Sequence, residues 1–251
     1  MTKPTAARKL RNFHDQLMAT YGPQQWWPAQ TPLEVIVGAY LTQNTSWRAV
    51  ERSIANLVAH GVMHLEGLRE IPEEDLRTLI RPSGYMVRKA AAIKAFVAFL
   101  DREHDSSLER LAGQTTSSVR RQLLALPGVG EETADAILLY ALLHPVPVVD
   151  EYLRRIADRH GLAPRKQKYI EVQQLVDAAF AHDPAEFRLP LLNEFHALVV
   201  AVGKHHCGPQ PRCEGCPLGI FTSTLPSRVQ RSAAFLEEKP RRVQLPGTHQ
   251  K

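Results

Sequence analysis

The chain has 251 residues, 44% hydrophobic and 23% charged, with a formal net charge of +5. That length can bury a sizeable core in one large or two small domains, and the composition is that of an ordinary soluble protein. No apolar run approaches a membrane span and the N-terminus is polar, so neither membrane insertion nor a signal peptide is expected, while the basic balance favours a polyanionic partner.

Residues 5–21 place Leu10, Phe13, Leu17 and Met18 at helical spacing and end in Tyr21-Gly22-Pro23, which predicts an amphipathic helix. Trp26-Trp27-Pro28 follows and holds two of the three tryptophans. Such rings either pack into a core or stack on a nucleobase. Leu33 to Leu41 reads as a buried helix. Thr42-Gln43-Asn44-Thr45-Ser46-Trp47 then leads into a helix from Trp47 to His60, with Thr45 or Ser46 suited to cap it. Next come a helix near 72–80, the turn Arg81-Pro82-Ser83-Gly84-Tyr85, and a basic helix from Met86 to about Leu100. Arg88, Lys89 and Lys94 suit either phosphate contact or an ordinary solvated face. Short helices over 106–111 and 117–126 lead to the central stretch.

That stretch, Leu126 to Asp150, opens with Leu126-Pro127-Gly128-Val129-Gly130. Its glycines permit φ values closed to other residues. Apolar spacing from Glu131 onward marks a helix, so the turn joins two helices, and its backbone N–H groups form an anion site suited to DNA phosphate. It also reads as a plain tight turn. A proline-interrupted connection, Pro145 to Val149, delivers Asp150 to the start of the next helix, where an aspartate commonly caps. Further helices are predicted at 151–160, 166–182 and 189–205. No alternating pattern occurs beyond the short Val146-Pro147-Val148-Val149 run, so the predicted fold is all-α. From Leu225 the chain turns to Pro, Arg, Gln and Ser, a basic flexible tail.

The hairpin, its helix and the Val-Val-Asp at 148–150 resemble the helix-hairpin-helix DNA glycosylases of the endonuclease III superfamily. Trp26-Trp27-Pro28, Leu41-Thr42-Gln43-Asn44-Thr45 and Arg81-Pro82-Ser83-Gly84 bring the likeness closest to its bacterial alkyl-purine branch. The resemblance implies two helical domains with a DNA-binding cleft between them: a six-helix barrel over 28–145, and a discontinuous domain of 1–27 with 146–223, leaving 224–251 as the tail. It implies that Asp150 is catalytic, that Gln43 fills the hole left by an extruded base, and that Gly128, Val129, Gly130 and Thr133 contact DNA. Trp26, Trp27, Trp47 and Lys204 become base-pocket residues, although a lysine near a helix C-terminus also suits the helix dipole. Strand-cutting relatives carry a lysine eighteen positions before the aspartate, which attacks the sugar as an amine. Here that position is Glu132, and a carboxylate cannot form the Schiff base, so no lyase activity is expected.

Cys207, Cys213 and Cys216 resemble the family's iron–sulfur loop, but its fourth cysteine position is Thr222. A 4Fe–4S cluster normally takes four thiolates. Three leave a cluster completed by His205 or His206, a zinc site of three cysteines and a histidine, or a loop without metal. No cofactor is needed for catalysis. The expectation is therefore a monomeric, cytoplasmic, nucleoid-associated enzyme of base excision repair. It would flip a damaged base out of double-stranded DNA and hydrolyse its N-glycosidic bond, with alkylated purines such as 3-methyladenine as substrates. The alternatives are an oxidised-pyrimidine glycosylase and a non-catalytic DNA-binding protein.

Overall fold

The computed structural model describes residues 5–24, 26–27 and 29–224; Pro28 and the predicted tail beyond residue 224 lie outside it. Its helices are α1 (Ala6–Tyr21), α2 (Pro32–Thr42), α3 (Trp47–Ala59), α4 (Leu65–Glu70), α5 (Glu73–Leu79), α6 (Met86–His104), α7 (Leu108–Ala112), α8 (Thr116–Leu124), α9 (Glu131–Ala136), α10 (Glu151–Arg159), α11 (Tyr169–Ala179) and α12 (Ala185–His205). Short 3₁₀ turns occupy Arg81–Ser83 and Pro217–Thr224. No strand occurs among the described residues, as the all-α reading requires.

Local chemistry explains the starts. Thr5, Thr31, Ser107 and Thr115 each accept a hydrogen bond from the backbone N–H three residues on, satisfying a donor that the first turn would otherwise leave open. Pro32 adds a preset φ at the first position of α2. Ser46 stands at the N-terminus of α3 but makes no side-chain cap bond. α2 is buried nearly all round, and Ile36 and Leu41 have no exposed surface. Each such side chain contributes about 1.5–3 kcal/mol. α2 packs on α3, α6, α9 and the turn after α9, which makes it the hub of the N-terminal half.

The first and last described elements meet. α1 packs on α11, α12 and the last 3₁₀ turn, with the Phe13 ring 5.0 Å from Phe221 and 4.9 Å from His160.

Four elements differ from the sequence reading. The six-residue α4 was unassigned; the His64 ring accepts the Gly67 N–H to start it. α11 begins at Tyr169 rather than 166, because Glu171 reaches back to the Lys168 N–H and fixes the start there. α12 begins at Ala185 and runs through Pro190, although that ring removes one helical bond. The buried Leu192, Phe195, Leu198 and Val199 downstream hold it straight through. Finally, α9 widens into a π-helical turn over Ile137–Ala141, closed by Leu142 N–H to the Ile137 carbonyl at 3.1 Å.

Candidate active site

Asp150 caps α10: its Oδ1 accepts the Leu153 N–H at 2.7 Å. The ordinary reading of an aspartate before a helix is therefore correct for one oxygen. The other, Oδ2, lies 3.7 Å from His196 Nε2, and the residue is only 6% exposed. His196 projects from the middle of α12, and its Nδ1 is 2.6 Å from the Tyr140 hydroxyl. Tyr140 sits in the π turn. That wider turn changes the facing of the residues in it, and turns of this kind recur at functional sites.

The connection that delivers Asp150 is held from both sides. Asp135 is fully buried and receives both forks of the Arg120 guanidinium, at 2.7 and 3.0 Å. Gln173 bridges Asp135 Oδ2 and the Pro147 carbonyl, at 2.8 Å each. The Val149 N–H donates to the Tyr169 hydroxyl at 3.1 Å. Such a charge-assisted network fixes the segment without regular secondary structure.

The three tryptophans converge. Trp26 stacks on Trp27 at 5.2 Å, and Trp47 meets Trp27 edge-on at 5.3 Å. Trp26 also lies 5.9 Å from Tyr140 and 5.5 Å from His196, which ties the cluster to Asp150. The Lys204 ammonium stands 5.9 Å above the Trp26 ring, within cation–π range. Gly203 makes this possible: a Cβ there would fall 2.2 Å from Tyr152 Cδ1, so only glycine lets α12 approach α10 so closely. Two hollows flank the cluster. One of about 350 Å³ is lined by Trp26, Trp27, Tyr140 and Asn193 among others. Another of about 430 Å³ is lined by Trp27, Trp47, Glu34 and Glu51 among others. Asp150 lines neither of them.

The hairpin meets the predicted wedge residue directly. Gln43 Nε2 donates to the Gly128 carbonyl at 2.8 Å and to Thr133 Oγ1 at 3.0 Å. Asn44 beside it takes φ +53°, which asparagine tolerates. Gly128 has φ +77° and needs to be glycine; Gly130, at φ −95°, does not, which corrects the reading of both as conformationally required. A Cβ at Gly130 would meet nothing within 4 Å, so the position is simply open. Val129, by contrast, is 9% exposed.

Glu132 reaches solvent, yet the protein around it displaces much of its water. Burial first, then the charge of Asp150, push its carboxyl up to about 7, with Arg154 opposing. The eighteen-residue interval thus places the two carboxyls within electrostatic reach.

Two basic residues of α6 spend donors on backbone carbonyls, Lys89 in the interior and Lys94 half-buried. Lys89 is 4% exposed and donates to the Leu41 and Ser83 carbonyls, at 2.8 Å each; burial lowers its ammonium to about 8. Lys94 donates to the Arg69 and Ile71 carbonyls. Arg88 remains exposed, as does the Tyr85 ring at 62%.

Among the described residues no three His, Cys, Asp or Glu side chains are grouped to hold a metal. Cys216 nonetheless lies within electrostatic reach of Cys207 and Cys213; burial first, then their charges, raise its thiol. Cys207 is buried and its Sγ accepts from Arg159 Nη1 at 3.0 Å, while Cys213 is exposed. His206 bonds the Arg212 carbonyl, and the His205 ring lies 6.3 Å from that of Tyr21.

Residues 37–181 match the HhH-GPD superfamily of base excision DNA repair proteins. The chain belongs to that superfamily. A Methanocaldococcus jannaschii protein, MJ1434, named as a DNA repair glycosylase, is 39% identical over 82% of this chain and 91% of its own length. Endonuclease III of Escherichia coli is 27% identical over 74% of this chain and 81% of its own. Among solved structures, Helicobacter pylori 3-methyladenine DNA glycosylase bound to 1,N6-ethenoadenine superposes with a TM-score of 0.70 at 26% identity, covering 80% of this chain and 98% of that one. An endonuclease III–DNA complex has a TM-score of 0.73 at 21% identity, over 93% of this chain and all of that one, a likeness of fold. The HhH-GPD assignment makes the chain a DNA glycosylase. Sequence reasoning named Asp150, the tryptophans and Gln43, but missed His196, Tyr140 and the Asp135 network. A histidine in the apolar face of α12 and a tyrosine after Leu138-Leu139 both read as core, and only their meeting reveals them.

Proposed function

We propose that this glycosylase is monofunctional and releases alkylated purines from double-stranded DNA, using Asp150 as its catalytic carboxylate. Breaking the C1′–N bond sends the electron pair onto the base and builds positive charge on the sugar. Asp150 is pre-positioned to offset that charge and to take the proton of the water that adds to C1′. Glu132 offers no amine for a covalent sugar adduct. The carrying observation is the junction of the Asp150 carboxylate with the tryptophan cluster through His196. An electron-poor alkylated base stacks well on such rings; one entering against Trp26 takes the place of the Lys204 ammonium. In this reading residues 28–145 form the barrel, the chain ends form the second domain, and Gln43 with residues 128–133 meets the DNA.

The test is base release from methylated genomic DNA, with freed bases identified by mass spectrometry. Methylated purines in the supernatant, with strand breaks only after alkali, are expected. Asp150→Asn should still bind duplex DNA and release no base. Release from oxidised-pyrimidine DNA alone, or a borohydride-trapped adduct, would overturn the reading in favour of an endonuclease III-like activity.

A further inference from the structure

Oδ1 of Asp150 is committed to the Leu153 N–H, so Oδ2 carries whatever chemistry the carboxylate performs. Its neighbour is His196 Nε2 at 3.7 Å, beyond a direct hydrogen bond but within reach of one that tightens on substrate binding. We infer that His196 is a positioning residue, aiming an Nε2–H at Oδ2 of Asp150 under the direction of the Tyr140 hydroxyl.

The hydrogen count supports this. Burial, with the charges of Asp150 and Glu194, holds the Tyr140 phenol far above its ordinary range, so the hydroxyl keeps its proton. That proton has two acceptors: His196 Nδ1 at 2.6 Å and the Asn193 carbonyl at 3.3 Å. The shorter contact is the stronger. When Tyr140 donates to Nδ1, the neutral ring must carry its own proton on Nε2, facing the carboxylate. When the ring is cationic, both nitrogens carry protons, and Tyr140 turns its hydrogen to Asn193. In either state an N–H faces Asp150. Removing the hydroxyl frees the neutral ring to take the other tautomer and lose that N–H.

This inference rests on Asp150 being the catalytic carboxylate. Other ionisable groups face the site: Glu132 from α9, Glu151, Tyr152 and Arg154 from α10, Glu194 and Lys204 from α12. Because burial pushes the Glu132 carboxyl up to about 7, all variants are compared at one pH and with Glu132→Gln present in every protein.

The experiment is single-turnover base release, with DNA affinity measured alongside. His196→Leu should slow release roughly tenfold to a hundredfold, the scale of a misplaced catalytic group, with affinity within about twofold of the parent. His196→Gln, which restores an N–H, should recover most of the rate. In Tyr140→Phe the ring-nitrogen NMR shifts of His196 should show the neutral ring's proton moving from Nε2 to Nδ1, with a matching loss of rate. A plain packing role predicts an unchanged tautomer and no rescue by glutamine; either result overturns the inference. If His196→Leu fails to fold, the Tyr140→Phe tautomer and rate decide. If Asp150→Asn keeps its activity, the proposed mechanism fails first; if it is dead while His196→Leu is normal, only this inference falls.

Discussion

On the proposed reading, Glu132 is the single side chain that separates this chain from relatives that cut the strand. Its carboxyl lies above its ordinary value of 4.5, at about 7, so the folded protein binds more protons than the unfolded one between those limits. Stability must then fall as the pH rises through that window, and the penalty is complete above it. Glu132→Gln removes the ionisable group. Its urea midpoint should exceed that of the parent at pH 8, with the gap closing toward pH 4; an equal gap at both ends would show that the shift is absent. As the cap of α10, Asp150 was legible in the sequence from its place before the helix. Its second partner was not, because His196 lies forty-six positions further along the chain and no local pattern links them.

At the scale of elements, the contact of α10 with α12 sets the site. Gly203→Ala places a methyl group inside the Tyr152 ring contact. Overpacking of this kind costs about 1–3 kcal/mol. The variant should show a lower urea midpoint, and its base release should weaken as α12, which carries His196, is pushed away from Asp150. Unchanged stability would mean that α12 slides freely. Helix existence was readable from apolar spacing almost throughout, since α1, α2, α3, α6 and α10 follow their predicted spans. What escaped depends on single side chains: Glu171 setting the start of α11, His64 starting α4, and downstream burial carrying α12 past Pro190. The π turn escaped because apolar spacing over 137–142 fits either helix type.

At the scale of the whole molecule, positive charge has to meet a phosphate backbone, and fewer cations are free to do so than the sequence suggests. Lys89 and Lys94 serve the interior. Lys89 holds the end of α2 to the turn before Tyr85, so it positions the surface instead of charging it. Arg88 is exposed on the same helix. Arg88→Ala should reduce the slope of log K against log salt by about one, the value for a single lost phosphate contact. An unchanged slope would move the DNA path elsewhere. The cysteine spacing alone leaves cluster, zinc and bare loop open, and in the fold Arg159 donates to the Cys207 sulfur.

Gln43 is docked on the hairpin by two hydrogen bonds. At about 0.5–1.5 kcal/mol each, they keep the glutamine stowed, with its released form rarer by roughly five- to over a hundredfold. On the proposed reading, in which Gln43 meets the DNA, a reader scanning miles of sound duplex gains from that: the probe would rest while the molecule travels and be freed where the hairpin grips a backbone and the stack is already loose. The same bonds would slow each interrogation and spare the far larger number not worth making.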